Sequence, residues 1–143
     1  MRPSNWNLTE LPGLSPEHCH QLAQVGIHTT LDLFSYGQAK STRQQLATTL
    51  RLTPRYVNKW IALADLARLP SVGCQYNGLL LHAGIASVAQ LARTSLSRLH
   101  PLVKRLQVAT LRRSDLCPGP AEMAVWIREA RLLLASQDTK TSP

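Results

Sequence analysis

A chain of 143 residues in which Leu and Ala supply 40 and aromatics only seven favours one compact helical domain over a sandwich or barrel. Sixteen Lys and Arg against eight Asp and Glu give a net charge of +8 and a pI near 10.1, which points to an anionic or acidic partner. Three cysteines, Cys19, Cys74 and Cys117, with no Cys-x-x-Cys spacing exclude a disulfide framework and argue against structural zinc.

Residues 1–11 hold no apolar core of signal-peptide length, and His82 interrupts the longest apolar stretch, residues 78–92. A cytoplasmic protein without membrane insertion is therefore expected.

The elements follow from caps and breakers. Ser15 before Pro16 reads as an N-cap with proline at the first helical position, and Gly26 ends that helix where positive φ is needed. Capping-box spacing recurs at Thr29 with Asp32, Ser41 with Gln44, and Ser87 with Gln90. Thr53-Pro54 opens a longer helix whose apolar face carries Val57, Trp60, Ile61 and Ala64, and Leu69-Pro70 closes it. A helix over 74–83 ends at Gly84. Over 96–108, Pro101 is expected only in the first turn of a new helix. An amphipathic helix over 121–135 precedes a polar tail, 136–143, expected to be flexible.

The chain also repeats itself. At an offset of 58, Leu11-Pro12 aligns with Leu69-Pro70, Leu22 with Leu80, Gly26-Ile27 with Gly84-Ile85, and Leu33 with Leu91. Trp60-Ile61 returns as Trp126-Ile127 at an offset of 66, so the second copy carries about eight extra residues, placed near 112–120. Two units, about 8–68 and about 69–135, predict an all-α domain of about eight helices: a duplicated bundle with pseudo-two-fold symmetry. The first copy has no helix before its turn, so the Trp126 helix is expected to fill that place beside the Pro16 helix.

Each copy enters a helix through Leu-Pro and a glycine-bearing turn: Leu11-Pro12-Gly13-Leu14-Ser15-Pro16 and Leu69-Pro70-Ser71-Val72-Gly73-Cys74. These segments, with the Gly-Ile boundaries that follow and the long Trp-bearing helices, resemble a tandem helix-hairpin-helix domain family of unknown function over residues 8–134. Each turn keeps one of the motif's two glycines, Gly13 or Gly73. The resemblance implies phosphate binding by main-chain amides of Gly13, Leu14 and Ser15, and of Val72, Gly73 and Cys74, because such turns aim unpaired N–H groups outward at a helix start. That mode grips a nucleic-acid backbone without reading sequence.

The charge lies elsewhere. Residues 1–38 carry a net −2 and residues 69–97 a net +1, whereas 39–68 carry +5 and 98–143 carry +4. Arg51, Arg55 and Lys59 recur at four-residue steps and share one helical face if the break at Thr53-Pro54 is gentle. Lys104-Arg105 and Arg112-Arg113 form a second basic cluster.

His18-Cys19-His20 is a poor metal site, since helical neighbours diverge by ~100°. Cys19 is expected at the core and both histidines toward solvent. Apolar neighbours at helical spacing assign Trp60 and Trp126 to the core rather than to a partner-facing surface, while Trp6 either covers the core or meets a partner. No nucleophile is framed by a base and no phosphate loop occurs, so no enzyme activity, metal or cofactor is expected. Two readings remain: a nucleic-acid binding module without sequence preference, or an adaptor for an acidic protein partner whose hairpins are structural.

Overall fold

The computed structural model describes the backbone of residues 2–111 and 118–141, and side chains of residues 2–106 and 118–136. The described residues form eight α-helices and one 3-10 turn, with no strand. Arg112-Arg113, Cys117 and most of the stretch 112–120, where the extra residues are expected, lie outside them.

After the 3-10 turn Leu8–Glu10 come α1 (Pro16–Gln24), α2 (Thr30–Tyr36), α3 (Lys40–Leu50) and α4 (Pro54–Leu66). Then follow α5 (Gly73–His82), α6 (Val88–Ala92), α7 (Leu96–Leu111) and α8 (Pro120–Thr141). The Ser15 Oγ accepts the His18 amide proton at the start of α1, and Thr29 and Asp32 complete a reciprocal capping box on α2. Each such cap stabilises its helix by about 1 kcal/mol. Ser87 caps α6 in the same way. Ser41 caps nothing: α3 starts at Lys40 behind Ala39, two residues ahead of the expected cap, with no side-chain cap. Pro101 sits inside a continuous α7 rather than at the start of a new helix. Helix α8 runs on to Thr141, so the backbone expected to fray from Ser136 is helical there.

Two groups of helices result. Helices α2 and α3 pack on α4, and α6 and α7 pack on α8, while α4 leads through a tight turn onto α5. Buried residues fall into matching clusters, one around Leu22, Leu33, Val57 and Trp60, the other around Leu80, Leu91, Leu99 and Trp126. Both tryptophans are core residues, as their apolar neighbours predict. Ring contacts repeat as well: His18 meets Trp60 at 4.9 Å and Tyr76 meets Trp126 at 5.0 Å, positions related by the two sequence offsets. His18 is therefore half-buried rather than solvent-facing, because the Trp60 ring offers it an apolar surface and Ser15 a polar one, with Oγ to Nδ1 2.9 Å.

Helix α8 does not take the vacant place beside α1. It packs on α6 and α7 and buries Met123, Trp126, Ala130 and Leu133 in the second cluster. The N-terminal segment closes the first group instead. The Trp6 amide and carbonyl bond Thr30, the Trp6 indole donates to the Ala67 carbonyl at 2.9 Å, and Ser4 donates to Arg68. The three residues Ser4 to Trp6 thus tie the start of α2 to the end of α4.

Candidate nucleic-acid interface

The two hairpins are built differently. Left-handed glycines occur at Gly13 (φ 80°) and Gly73 (φ 50°), but at the repeat offset Gly13 aligns with Ser71, not with Gly73. The chain reverses at a different step in each turn.

In the first hairpin, Gly13 is exposed with open space around it, and the amides of Gly13, Leu14 and Ser15 donate no hydrogen bond among the described residues. Leu14 is buried and anchors the turn. Those free amides suit an anion. Glu10 and Glu17, both exposed and flanking, oppose one.

The second hairpin is already engaged. Val72 and Gly73 both donate to the Leu69 carbonyl, at 3.1 and 2.8 Å. Glu129, reaching across from α8, accepts the Ser71 amide with one carboxylate oxygen at 3.0 Å and the Ser71 hydroxyl with the other at 2.6 Å. The Trp6 ring lies over Gly73, closely enough that a Cβ there would come within 2.9 Å of it. Of the three ligands expected in this second turn, only the Cys74 amide has no partner among the described residues. It borders a cavity of about 290 Å³ that also holds Glu10, and burial with the Glu10 charge pushes the Cys74 thiol up to about 11. An internal carboxylate occupies the kind of position a phosphate would need.

The basic candidates also divide. Arg51 is not on the helix of Arg55 and Lys59, because α3 ends at Leu50 and Arg51 caps it in the left-handed region, φ 57° and ψ 42°. The break before Pro54 is sharp, since Thr53 that follows is extended at φ −69° and ψ 147°. Arg55 and Lys59 do lie one turn apart on α4, both exposed. Lys104 and Arg105 are exposed on α7. None of these five makes an ion pair among the described residues.

The ion pair that is present is internal. Arg68, only 4% exposed, bonds Asp65 through Nε and Nη2 and lies over the Phe34 ring at 3.9 Å. Burial pushes the Asp65 carboxyl up, against the opposing pull of Arg68. Both residues line a groove of about 530 Å³ with Arg43, whose Nη1 donates to the Gly37 carbonyl at 2.6 Å. These guanidinium groups are consumed in holding α2, α3 and α4 together.

Sequence reasoning missed two residues that define this surface, Tyr56 and Glu129, and named Trp6 with two alternative roles, of which the structure shows the covering one. Tyr56 is 54% exposed between Arg55 and Lys59, and its position off the Val57–Trp60–Ile61 face was a usable signal. Glu129 depends on a contact 58 residues away in sequence, for which no local pattern exists.

The described residues thus make an all-helical fold with free surface cations and no cluster of three or more His, Cys, Asp or Glu side chains able to hold a metal ion. The chain belongs to the family described as Domain of unknown function (DUF4332), whose model matches residues 12–133. No curated protein and no solved structure matches it. Among the described residues, no helix is long and apolar enough to cross a membrane.

Proposed function

We propose that this chain is a non-enzymatic binding module that holds nucleic acid by its backbone, without sequence preference. The observation that carries this reading is the set Arg51, Arg55, Lys59, Lys104 and Arg105: all exposed, none engaged by a carboxylate among the described residues. Unpaired cations on fixed helices release counterions from a polyanion on contact, which supplies affinity independent of base sequence. The open amides of Gly13, Leu14 and Ser15 add a main-chain contact of the helix-hairpin-helix kind. Val72 and Gly73 take no part, because the Leu69 carbonyl holds both amides and the Trp6 ring covers Gly73, and the open Cys74 amide faces a cavity that the Glu10 carboxylate lines.

We regard the two groups of helices as a duplicated helix-hairpin-helix unit whose second hairpin has become structural. The paired His18–Trp60 and Tyr76–Trp126 contacts support this. A non-catalytic role fits thiols pushed upward by burial at Cys19 and Cys74, the reverse of an activated nucleophile. The cytoplasm is the proposed site of action, in keeping with those free thiols.

The internal engagement of the second hairpin favours one other reading, an adaptor for an acidic protein. Binding to several duplexes of unrelated sequence at low salt separates the two. Similar affinities for all supports the nucleic-acid module; no binding to any of them supports the adaptor.

A further inference from the structure

We propose that the patch formed by Arg51, Arg55, Tyr56 and Lys59 takes single-stranded nucleic acid in preference to duplex, with Tyr56 as a stacking surface for a base. This inference rests on the nucleic-acid reading above and names the form of the ligand.

Tyr56 is an exposed residue of the first turn of α4. It is the most exposed large hydrophobic side chain among the described residues, and its ring makes no aromatic contact and no side-chain hydrogen bond there. Val57, Trp60, Ile61 and Ala64 turn the apolar face of α4 inward, so Tyr56 adds nothing to the core. Its immediate neighbours are charged: Arg55 precedes it, Lys59 follows one turn on, and Arg51 stands in the turn that feeds α4. All three are exposed and free of carboxylate partners among the described residues.

A flat aromatic face amid unpaired cations matches a ligand that alternates phosphates with unstacked bases. Duplex DNA offers the phosphates but keeps its bases stacked on one another, so the ring gains little from it. An acidic peptide offers carboxylates without an obligatory aromatic face. Arg51 strengthens the assignment. The other left-handed positions among the described residues are glycines, at 13, 26, 73 and 84, yet here the chain keeps a long cation at a conformation that favours glycine.

The test uses the full chain, fluorescently labelled oligothymidylate, a duplex of equal length, and inorganic polyphosphate as a competitor without bases. Fluorescence anisotropy at low salt is expected to show tighter binding of the single strand. Tyr56→Ala is expected to weaken single-strand binding by about five-fold to about a hundred-fold, the range of one lost base stack, with duplex and polyphosphate binding unchanged. Tyr56→Phe retains the single-strand affinity. Tyr56 is exposed, so circular dichroism of both variants should match the parent. Equal loss for all three ligands, or no loss for the single strand, overturns the stacking role while leaving the polyanion reading intact. No binding of any of them at low salt overturns that reading and this inference with it.

Discussion

Glu129 holds Ser71 with both carboxylate oxygens, one on the amide and one on the hydroxyl, and so ties α8 to the turn before α5. A carboxylate on an amide at this turn is a charge-assisted contact of the stronger kind. Glu129→Ala leaves the Ser71 amide without its partner and is expected to cost about 2 kcal/mol in a urea unfolding series. Glu129→Gln, which keeps one acceptor, should cost less. Equal stability of Glu129→Ala and the parent would show that the contact contributes nothing.

The left-handed glycines of the two hairpins should respond unequally to a methyl group. Gly13→Ala meets only the backbone cost of positive φ, about 1 kcal/mol, because the space around it is open. Gly73→Ala adds a collision with the Trp6 ring, whose indole is fixed by Ala67, and is expected to lose about 2–4 kcal/mol. Denaturant midpoints of the two variants make the comparison; similar losses would mean that Trp6 yields freely.

Arg51 offers a separation of stability from binding. Glycine accepts φ near 57° without strain, so Arg51→Gly should leave stability unchanged or raise it by up to about 1 kcal/mol. The same change removes one cation from the proposed interface and should weaken polyanion binding. A variant that unfolds more easily, or that binds as before, contradicts the role assigned to this side chain.

Cys74 supplies a pH prediction. Its thiol rises from an ordinary value of 9.0 to about 11, with burial the larger cause and the Glu10 charge the lesser. A raised value means that the folded state holds the proton more tightly than the unfolded one. The resulting stability is complete below about pH 9 and is lost as pH climbs through about 11. Alkylation at pH 8, followed residue by residue by mass spectrometry, should be slower at Cys74 than in the unfolded chain. Equal rates in the two states would contradict the burial.

Local chemistry made much of this fold legible. Ser15, Thr29 with Asp32, and Ser87 announced their helices because a cap acts on amides two or three residues away. Gly26 and Gly84 marked helix ends for an equally local reason. Ser41 misled because the same spacing can arise inside a helix: α3 begins at Lys40 behind Ala39, and Ser41 lies in its first turn.

The candidate interface was less legible. Exposure of Arg51, Arg55 and Lys59 could be guessed from their charge, but the left-handed break at Arg51 could not, since that position ordinarily calls for glycine. The second hairpin carried the right residue types and still closed on itself. Glu129 sits 58 residues from Ser71, and only the folded chain brings that carboxylate to that amide.

Nucleic-acid affinity across a salt series is the decisive measurement for a module that grips the phosphate backbone. Affinity for a labelled oligonucleotide, measured from low to physiological salt, should fall steeply for the parent chain. The Arg51→Ala, Arg55→Ala, Lys59→Ala triple variant should bind more weakly, with a log–log slope shallower by about 2 to 3 on duplex, near 0.9 for each lost phosphate contact. Undetectable binding by the parent at the lowest salt, or a triple variant with the parent's affinity and slope, would contradict that mode of binding.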